Sequence, residues 1–136
     1  MMITAVLLVL GFMPFTAATI AGNPLGAVCG NYSNYTANST YQANIALLSV
    51  ELIKNTSSAP SPFAKGSVGA VPDTVYGLFL CQGDVGASDC SHCAGTAFRE
   101  AQQQCAFNMD ATVFYNQCLL RFSDQDFIDH IRILWS

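Results

Sequence analysis

The sequence predicts a small exported domain in which two amphipathic helices combine with β-strands and are pinned by disulfides. Three observations carry that expectation. Hydrophobic side chains recur at helical spacing in two stretches, β-forming runs bounded by turn residues lie between and after them, and the chain of 136 residues holds six cysteines, an even number. Hydrophobic types make up 51% and charged types 10%, far from the low-hydrophobicity, high-charge composition of disordered chains. The net charge is -4, and the basic residues are scattered at Lys54, Lys65, Arg99, Arg121 and Arg132. Phosphate neutralisation needs clustered Lys and Arg, so a nucleic-acid partner is argued against.

The N-terminus is read as a secretory signal over residues 1–21. Met1 to Thr19 carries no charged side chain, and an apolar run from Ala5 to Met13 is followed by small residues at Ala17, Ala18 and Ala21, where cleavage is expected after Ala18 or Ala21. The run is shorter than the roughly 20 residues a bilayer requires and Pro14 interrupts it, so an anchor is disfavoured. No later stretch is long and apolar enough to span a membrane, and the expected destination is extracellular. Export fits the cysteines, since Cys29, Cys81, Cys90, Cys93, Cys105 and Cys118 all lie beyond the signal, as in a disulfide framework formed in an oxidising compartment. It also fits four N-glycosylation sequons, at Asn31, Asn34, Asn38 and Asn55.

Along the mature chain, the Asn-, Tyr-, Ser- and Thr-rich stretch from Val28 to Thr40 suits short strands or an extended loop. Tyr41, Ile45, Leu48 and Leu52 then fall at i, i+4, i+7 and i+11, which predicts a helix over Thr40 to Asn55 capped by Ser39 or Thr40. Asn55 to Gly69, with Pro60, Pro62, Gly66 and Gly69, reads as a loop. Val71 to Cys81 reads as a strand in which Gly77 admits another element closely. Ser88-Asp89 is placed as the cap of a second helix reaching Gln104, whose Cys90, Cys93, Ala97, Ala101 and Cys105 share a face. Ala111 to Phe122 reads as a hairpin, with Phe114, Cys118, Leu120 and Phe122 in one phase and Val113, Tyr115 and Leu119 in the other.

Cys81, Cys90 and Cys93 form a C-x8-C-x2-C arrangement open to three chemistries. A redox dithiol would use Cys90-Ser-His-Cys93 near a helix start, but it leaves four cysteines without a purpose. A zinc site would need His92 beside Cys93, and neighbours on a helix point to different sides. Structural disulfides are favoured, and spacing alone leaves fifteen connectivities open. Each bridge would be worth about 3 to 4.5 kcal/mol by loop closure.

At these residues a resemblance becomes specific. C-x8-C-x2-C, preceded by Val71-Pro-Asp-Thr-Val-Tyr-Gly-Leu-Phe-Leu80 and followed by Phe114-Tyr-Asn-Gln-Cys-Leu-Leu-Arg-Phe-Ser123 and Phe127, resembles the ginkbilobin-homologous, or stress-antifungal, domain of plant cysteine-rich receptor-like kinases and secretory proteins. The resemblance implies an α+β fold, two helices packed on an antiparallel sheet of about five strands. It further implies disulfides Cys29 with Cys105, Cys81 with Cys90, and Cys93 with Cys118. The domain is taken as residues 22–127, with 128–136 a divergent tail.

In the mannose-binding branch of that family, ligand is held by an Asn, an Arg and a Glu at positions that are Gly30, Thr112 and Ser123 here. Gly30 offers no side chain and the others one hydroxyl each, so weak or no mannose binding is expected. Asn31, Arg121 and Asp124 stand close in sequence and are read as surface polar residues rather than substitutes. Catalysis is not expected: the histidines are His92 and His130, no Gly-x-Ser-x-Gly occurs, and Asp124, Asp126 and Asp129 read as solvated charge. The functional expectation is a secreted, cofactor-free and metal-free module of the apoplast that binds a carbohydrate or a protein in plant defence or stress. The alternative is a truncated member of a tandem-domain receptor ectodomain or secretory protein. The apolar tail, with Ile131, Ile133, Leu134 and Trp135, is expected either to dock as an added strand or to mediate homo-oligomerisation.

Overall fold

A computed structural model describes residues 24–30, 33–58 and 63–128. The element order is β1 (Gly26–Cys29), α1 (Thr40–Ser58), β2 (Phe63–Val68), β3 (Val75–Cys81), α2 (Ala87–Gln104), β4 (Ala111–Phe114) and β5 (Cys118–Ser123). The strands form one antiparallel sheet in the order β1-β4-β5-β3-β2, and both helices pack on the same face. This is the expected α+β class. The signal over 1–21 and the tail beyond Ile128 lie outside the described residues.

Helix α1 starts where Ser39 Oγ accepts the Gln42 N–H at 3.2 Å, and Gln42 Oε1 accepts the Asn38 N–H at 2.6 Å. The first bond satisfies an N–H that the first helical turn leaves without a partner, and the second ties the residue ahead of the cap to that turn. Its apolar face is the expected one, since Tyr41, Ile45, Leu48 and Leu52 are fully buried. The helix continues to Ser58, three residues beyond the expected end. Gly77 shows how closely it lies on the sheet: a Cβ there would stand 2.5 Å from Leu48 Cδ2. Only glycine lets the backbone of β3 and this helix approach so far.

Three expectations are corrected. The stretch from Asn55 to Gly69 is not all loop, because Phe63–Val68 is edge strand β2, paired along its length with β3. Gly66 and Lys65 hid its alternation, yet Ala64 and Gly66 face α1 while Lys65 and Ser67 point away. The second helix starts at Ala87 with Gly86 as its cap and no side-chain capping bond, so Ser88 and Asp89 lie in its first turn. The hairpin phase is inverted at its turn: Val113 shares the helix-facing side with Cys118, Leu120 and Phe122, while Phe114 pairs with Leu119 on the other. Residues 115–117 form the connection, closed by a 2.8 Å bond from the Tyr115 N–H to the Cys118 carbonyl, so partners across it differ in parity.

The core fills the space between sheet and helices. Phe79, Phe122, Leu120 and Val113 are fully buried, and Phe98 of α2 stacks on Phe122 with centroids 6.3 Å apart. Each such side chain contributes about 1.5–3 kcal/mol of transfer free energy. Three disulfides tie the layers. Cys29–Cys105 fastens β1 to the end of α2, Cys81–Cys90 joins β3 to the first turn of α2, and Cys93–Cys118 fastens α2 to β5. Cys90 and Cys93 therefore belong to different bridges and no cysteine is free, which leaves no thiolate for the redox or zinc chemistry weighed above.

Candidate functional site

Between α2 and β4 the chain makes a short turn whose polar groups organise one end of the sheet. Asn108 Oδ1 accepts the Asp110 N–H at 3.1 Å, and Asn108 Nδ2 donates to the Gly30 carbonyl across the sheet. The Gly30 N–H donates to the Asp110 carbonyl at 2.8 Å, so the residue after Cys29 is locked to the residue before β4. A Cβ on Gly30 would stand 2.8 Å from Asp110 Cβ and 3.3 Å from Asn108 Oδ1. The close approach requires glycine.

The Asp110 carboxylate is the hub of the site. Its Oδ2 accepts from Arg121 Nη2 at 3.1 Å and from Ser123 Oγ at 3.0 Å. Ser123 is fully buried, and its oxygen also accepts the Gln125 N–H at 3.0 Å. The Arg121 guanidinium lies over the Phe127 ring, 4.2 Å from its centroid, held by cation–π attraction as well as by the ion pair. Its Nε is buried without a hydrogen-bond partner among the described residues. Asp110 and Arg121 line an open cleft of about 370 Å³, together with Gly30, Thr112 and the apolar walls of Val28 and Phe114. That volume lies at the small end of the range of ligand sites, about 300–1,000 Å³.

The three positions singled out by resemblance are thus brought near one another, but not as a binding triad. Gly30 and Thr112 line the cleft, whereas Ser123 is buried beneath it with its hydroxyl committed to Asp110. Of the neighbours weighed as substitutes, Arg121 faces the cleft, Asp124 does not line it, and Asn31 lies outside the described residues. The residue that sequence reasoning missed is Asp110. Its signal was the Asn108-Met-Asp110 spacing just before a strand, the pattern of an Asx turn.

Of the remaining candidate residues, Asn34 and Asn38 are exposed ahead of α1, while Asn55 is half-buried within that helix. His92 is exposed on α2. Among the described residues no group of three or more His, Cys, Asp or Glu side chains is placed to hold a metal ion. No described helix is long and apolar enough to cross a membrane. A second, smaller concavity of about 190 Å³ lies at the β4–β5 turn, between Leu80, Asn116 and Gln117. Beside it the Tyr115 hydroxyl is buried without a partner among the described residues, and that burial pushes its pKa up.

The salt stress response/antifungal family pattern matches residues 28–125. Cysteine-rich receptor-like protein kinase 6 of Oryza sativa subsp. japonica is 50% identical over 107 residues, covering 76% of this chain and 15% of the kinase. Cysteine-rich repeat secretory protein 9 of Arabidopsis thaliana is 34% identical over 107 residues, covering 79% of this chain and 32% of that protein. Among solved structures, the tandem DUF26 ectodomain of the Arabidopsis thaliana cysteine-rich receptor-like protein PDLP5 matches with a TM-score of 0.71 at 25% identity. That match covers 77% of this chain and 52% of the ectodomain. The chain therefore spans about half of the solved ectodomain and a much smaller part of the kinases, whose kinase portions it does not match.

Proposed function

The chain belongs to the salt stress response/antifungal family, and from that premise we propose that it is a secreted, non-catalytic recognition module of the plant apoplast acting in defence or stress. Its contact surface is the cleft between β1, β4 and β5. The observation that carries this reading is the Asp110–Arg121 pair, held over Phe127 at the rim of an open cleft that also offers the Thr112 hydroxyl and the apolar walls of Val28 and Phe114. Charged, hydroxyl and apolar surfaces side by side suit a partially polar ligand such as a glycan or an extracellular protein loop. Mannose binding of the kind known in the family's lectin branch is disfavoured. Gly30 has no side chain to offer, and the Ser123 hydroxyl is already bound to Asp110. The similarity to tandem ectodomains favours, as a second reading, a module that works beside another domain of its kind.

The test uses the oxidised, glycosylated chain against plant cell-wall glycans and extracellular receptor ectodomains presented together. Wild type is expected to retain a partner, and Arg121→Ala to weaken it at least tenfold without loss of folding. Binding unaffected by both Arg121→Ala and Thr112→Ala would remove the cleft from consideration. Mannose-specific binding lost with Thr112→Ala would restore the lectin reading.

A further inference from the structure

The segment ahead of α1 is laced to the turn between α2 and β4. Asn34 and Asn108 form an isolated antiparallel bridge, flanked by bonds from the Tyr35 N–H to the Phe107 carbonyl at 2.9 Å and from the Met109 N–H to the Ser33 carbonyl at 3.0 Å. Asn34 is exposed and opens the sequon Asn34-Tyr35-Thr36. The groups around its amide are acceptors, so the nitrogen faces them: Nδ2 donates to the Phe107 carbonyl at 3.2 Å and to the Ser33 carbonyl at 3.3 Å. The atom to which a glycan is joined therefore touches Phe107.

Phe107 stands out on two counts. Its φ of 59° lies in the left-handed region, which is costly for a bulky side chain, and the residue is 45% exposed. Its ring meets that of Tyr35, the buried middle residue of the sequon, edge to face with centroids 5.6 Å apart. A large apolar ring is thus held at the surface beside Asn34 by a backbone conformation that glycine or asparagine would adopt more easily. The C–H face of a pyranose packs on such a ring by dispersion and by attraction to the negative face of the π-system.

We propose that Asn34 carries an N-linked glycan whose first sugar stacks on Phe107. The proposal rests on the reading of this chain as exported. Attachment forms a bond from the sugar C1 to Asn34 Nδ2. One N–H bond of the amide breaks and its proton passes to a base, while the bond from C1 to a lipid-linked pyrophosphate breaks and the pyrophosphate leaves with the electron pair. The N–H that remains keeps the Phe107 carbonyl as its acceptor. The Ser33 carbonyl can be given up by a turn of the exposed side chain, because it retains the Met109 N–H. The sugar ring begins one bond from Nδ2, within reach of the ring of the residue whose carbonyl that nitrogen touches. Stacking there fastens the segment ahead of α1 to the turn that carries Asn108 and Asp110, and so steadies one wall of the cleft.

The test uses the full chain expressed in plant leaf cells, with each glycan trimmed by an endoglycosidase to its first sugar. Peptide mapping by mass spectrometry is expected to find Asn34 occupied. Thr36→Ala abolishes this sequon and leaves the Asn34 amide in place, and is expected to lower the melting temperature by about 2–4 °C. In a Phe107→Ala background the same change is expected to cost less than half as much, and Phe107→Tyr, which keeps an aromatic face, is expected to restore the full effect. Sugar proton resonances shifted upfield by the ring current should be present in wild type and lost with Thr36→Ala; if Phe107→Ala fails to fold, their absence from wild type overturns the proposal. An equal loss of stability in both backgrounds would overturn it too. A secreted chain with Asn34 bare would sink this proposal alone, whereas a chain retained in the cell without glycans would sink the export reading with it.

Discussion

Removing the Asp110 carboxylate gives the most direct measure of how the cleft is held. Asp110→Ala breaks two interactions of different character. The ion pair with Arg121 joins side chains that are 19% and 35% exposed, and pairs in that environment contribute about 0.2–1 kcal/mol. The bond from Ser123 is another matter, because that residue is fully buried and its hydroxyl proton loses its acceptor. An unsatisfied buried donor costs about 1–3 kcal/mol. Together these predict a loss of about 1.2–4 kcal/mol, most of it from Ser123. Ser123→Ala alone removes the same bond from the other side but leaves Asp110 its arginine, and is expected to cost about 1–2 kcal/mol. The double variant should cost less than the sum by about 1–2 kcal/mol, because once the carboxylate is gone the hydroxyl is a liability. Urea unfolding of the four oxidised proteins, compared at constant m-value, measures the cycle. Additivity within about 0.3 kcal/mol would refute the assignment of Ser123 as the buried partner of Asp110.

Gly77→Ala places a methyl group 2.5 Å from Leu48 Cδ2 and is expected to cost about 1–3 kcal/mol by overpacking, read as a lowered denaturation midpoint. Among the disulfides, sequence separations of 76, 25 and 9 residues correspond to loop-closure contributions of about 4.5, 3.5 and 2.6 kcal/mol. Paired Cys→Ser variants should therefore lose thermal stability in the order Cys29/Cys105, Cys93/Cys118, Cys81/Cys90, and a reversed order would point to strain or residual structure instead. Tyr41 donates its hydroxyl to the Met109 carbonyl at 2.7 Å, and burial, with the nearby Asp124 and Asp110 charges, pushes its pKa well above the ordinary tyrosine value. Because its phenol is kept neutral when folded and ionises near pH 10 when unfolded, its contribution is complete below pH 10. It falls above that pH by about 1.4 kcal/mol per unit. Tyr41→Phe should lose about 1 kcal/mol at neutral pH and show a shallower alkaline decline in pH-dependent unfolding.

The elements that were legible in the sequence are those whose burial is expressed as period. Tyr41, Ile45, Leu48 and Leu52 announce α1 because these fully buried apolar residues recur at helical spacing, and the small and cysteine residues from Cys90 to Ala101 announce α2 because close packing on a sheet selects them. β2 was hidden because an edge strand needs side chains on one face only: Ala64 and Gly66 are small where α1 presses on them, and Lys65 and Ser67 face away. The hairpin phase was misjudged for a related reason. Alternation continues within each of the strands, but the three residues from Tyr115 to Gln117 reset it, and no composition rule reveals that shift.

The cleft was illegible for a different reason, since its meaning lies in pairs far apart in the chain. Gly30 looks like the loss of a side chain when read alone. Its backbone is bonded to Asp110 and Asn108, and the carboxyl-bearing residue fills the space that a side chain at 30 would need. Gly30, Asp110 and Ser123 are thus one linked arrangement rather than three independent departures. It follows that Gly30→Asn alone inserts a side chain against Asp110 Cβ and should destabilise the fold. Because the clash is with Asp110 Cβ, a side chain at position 30 calls for glycine at 110 or a shift of the backbone, and glycine there would at once release Arg121 from its ion pair.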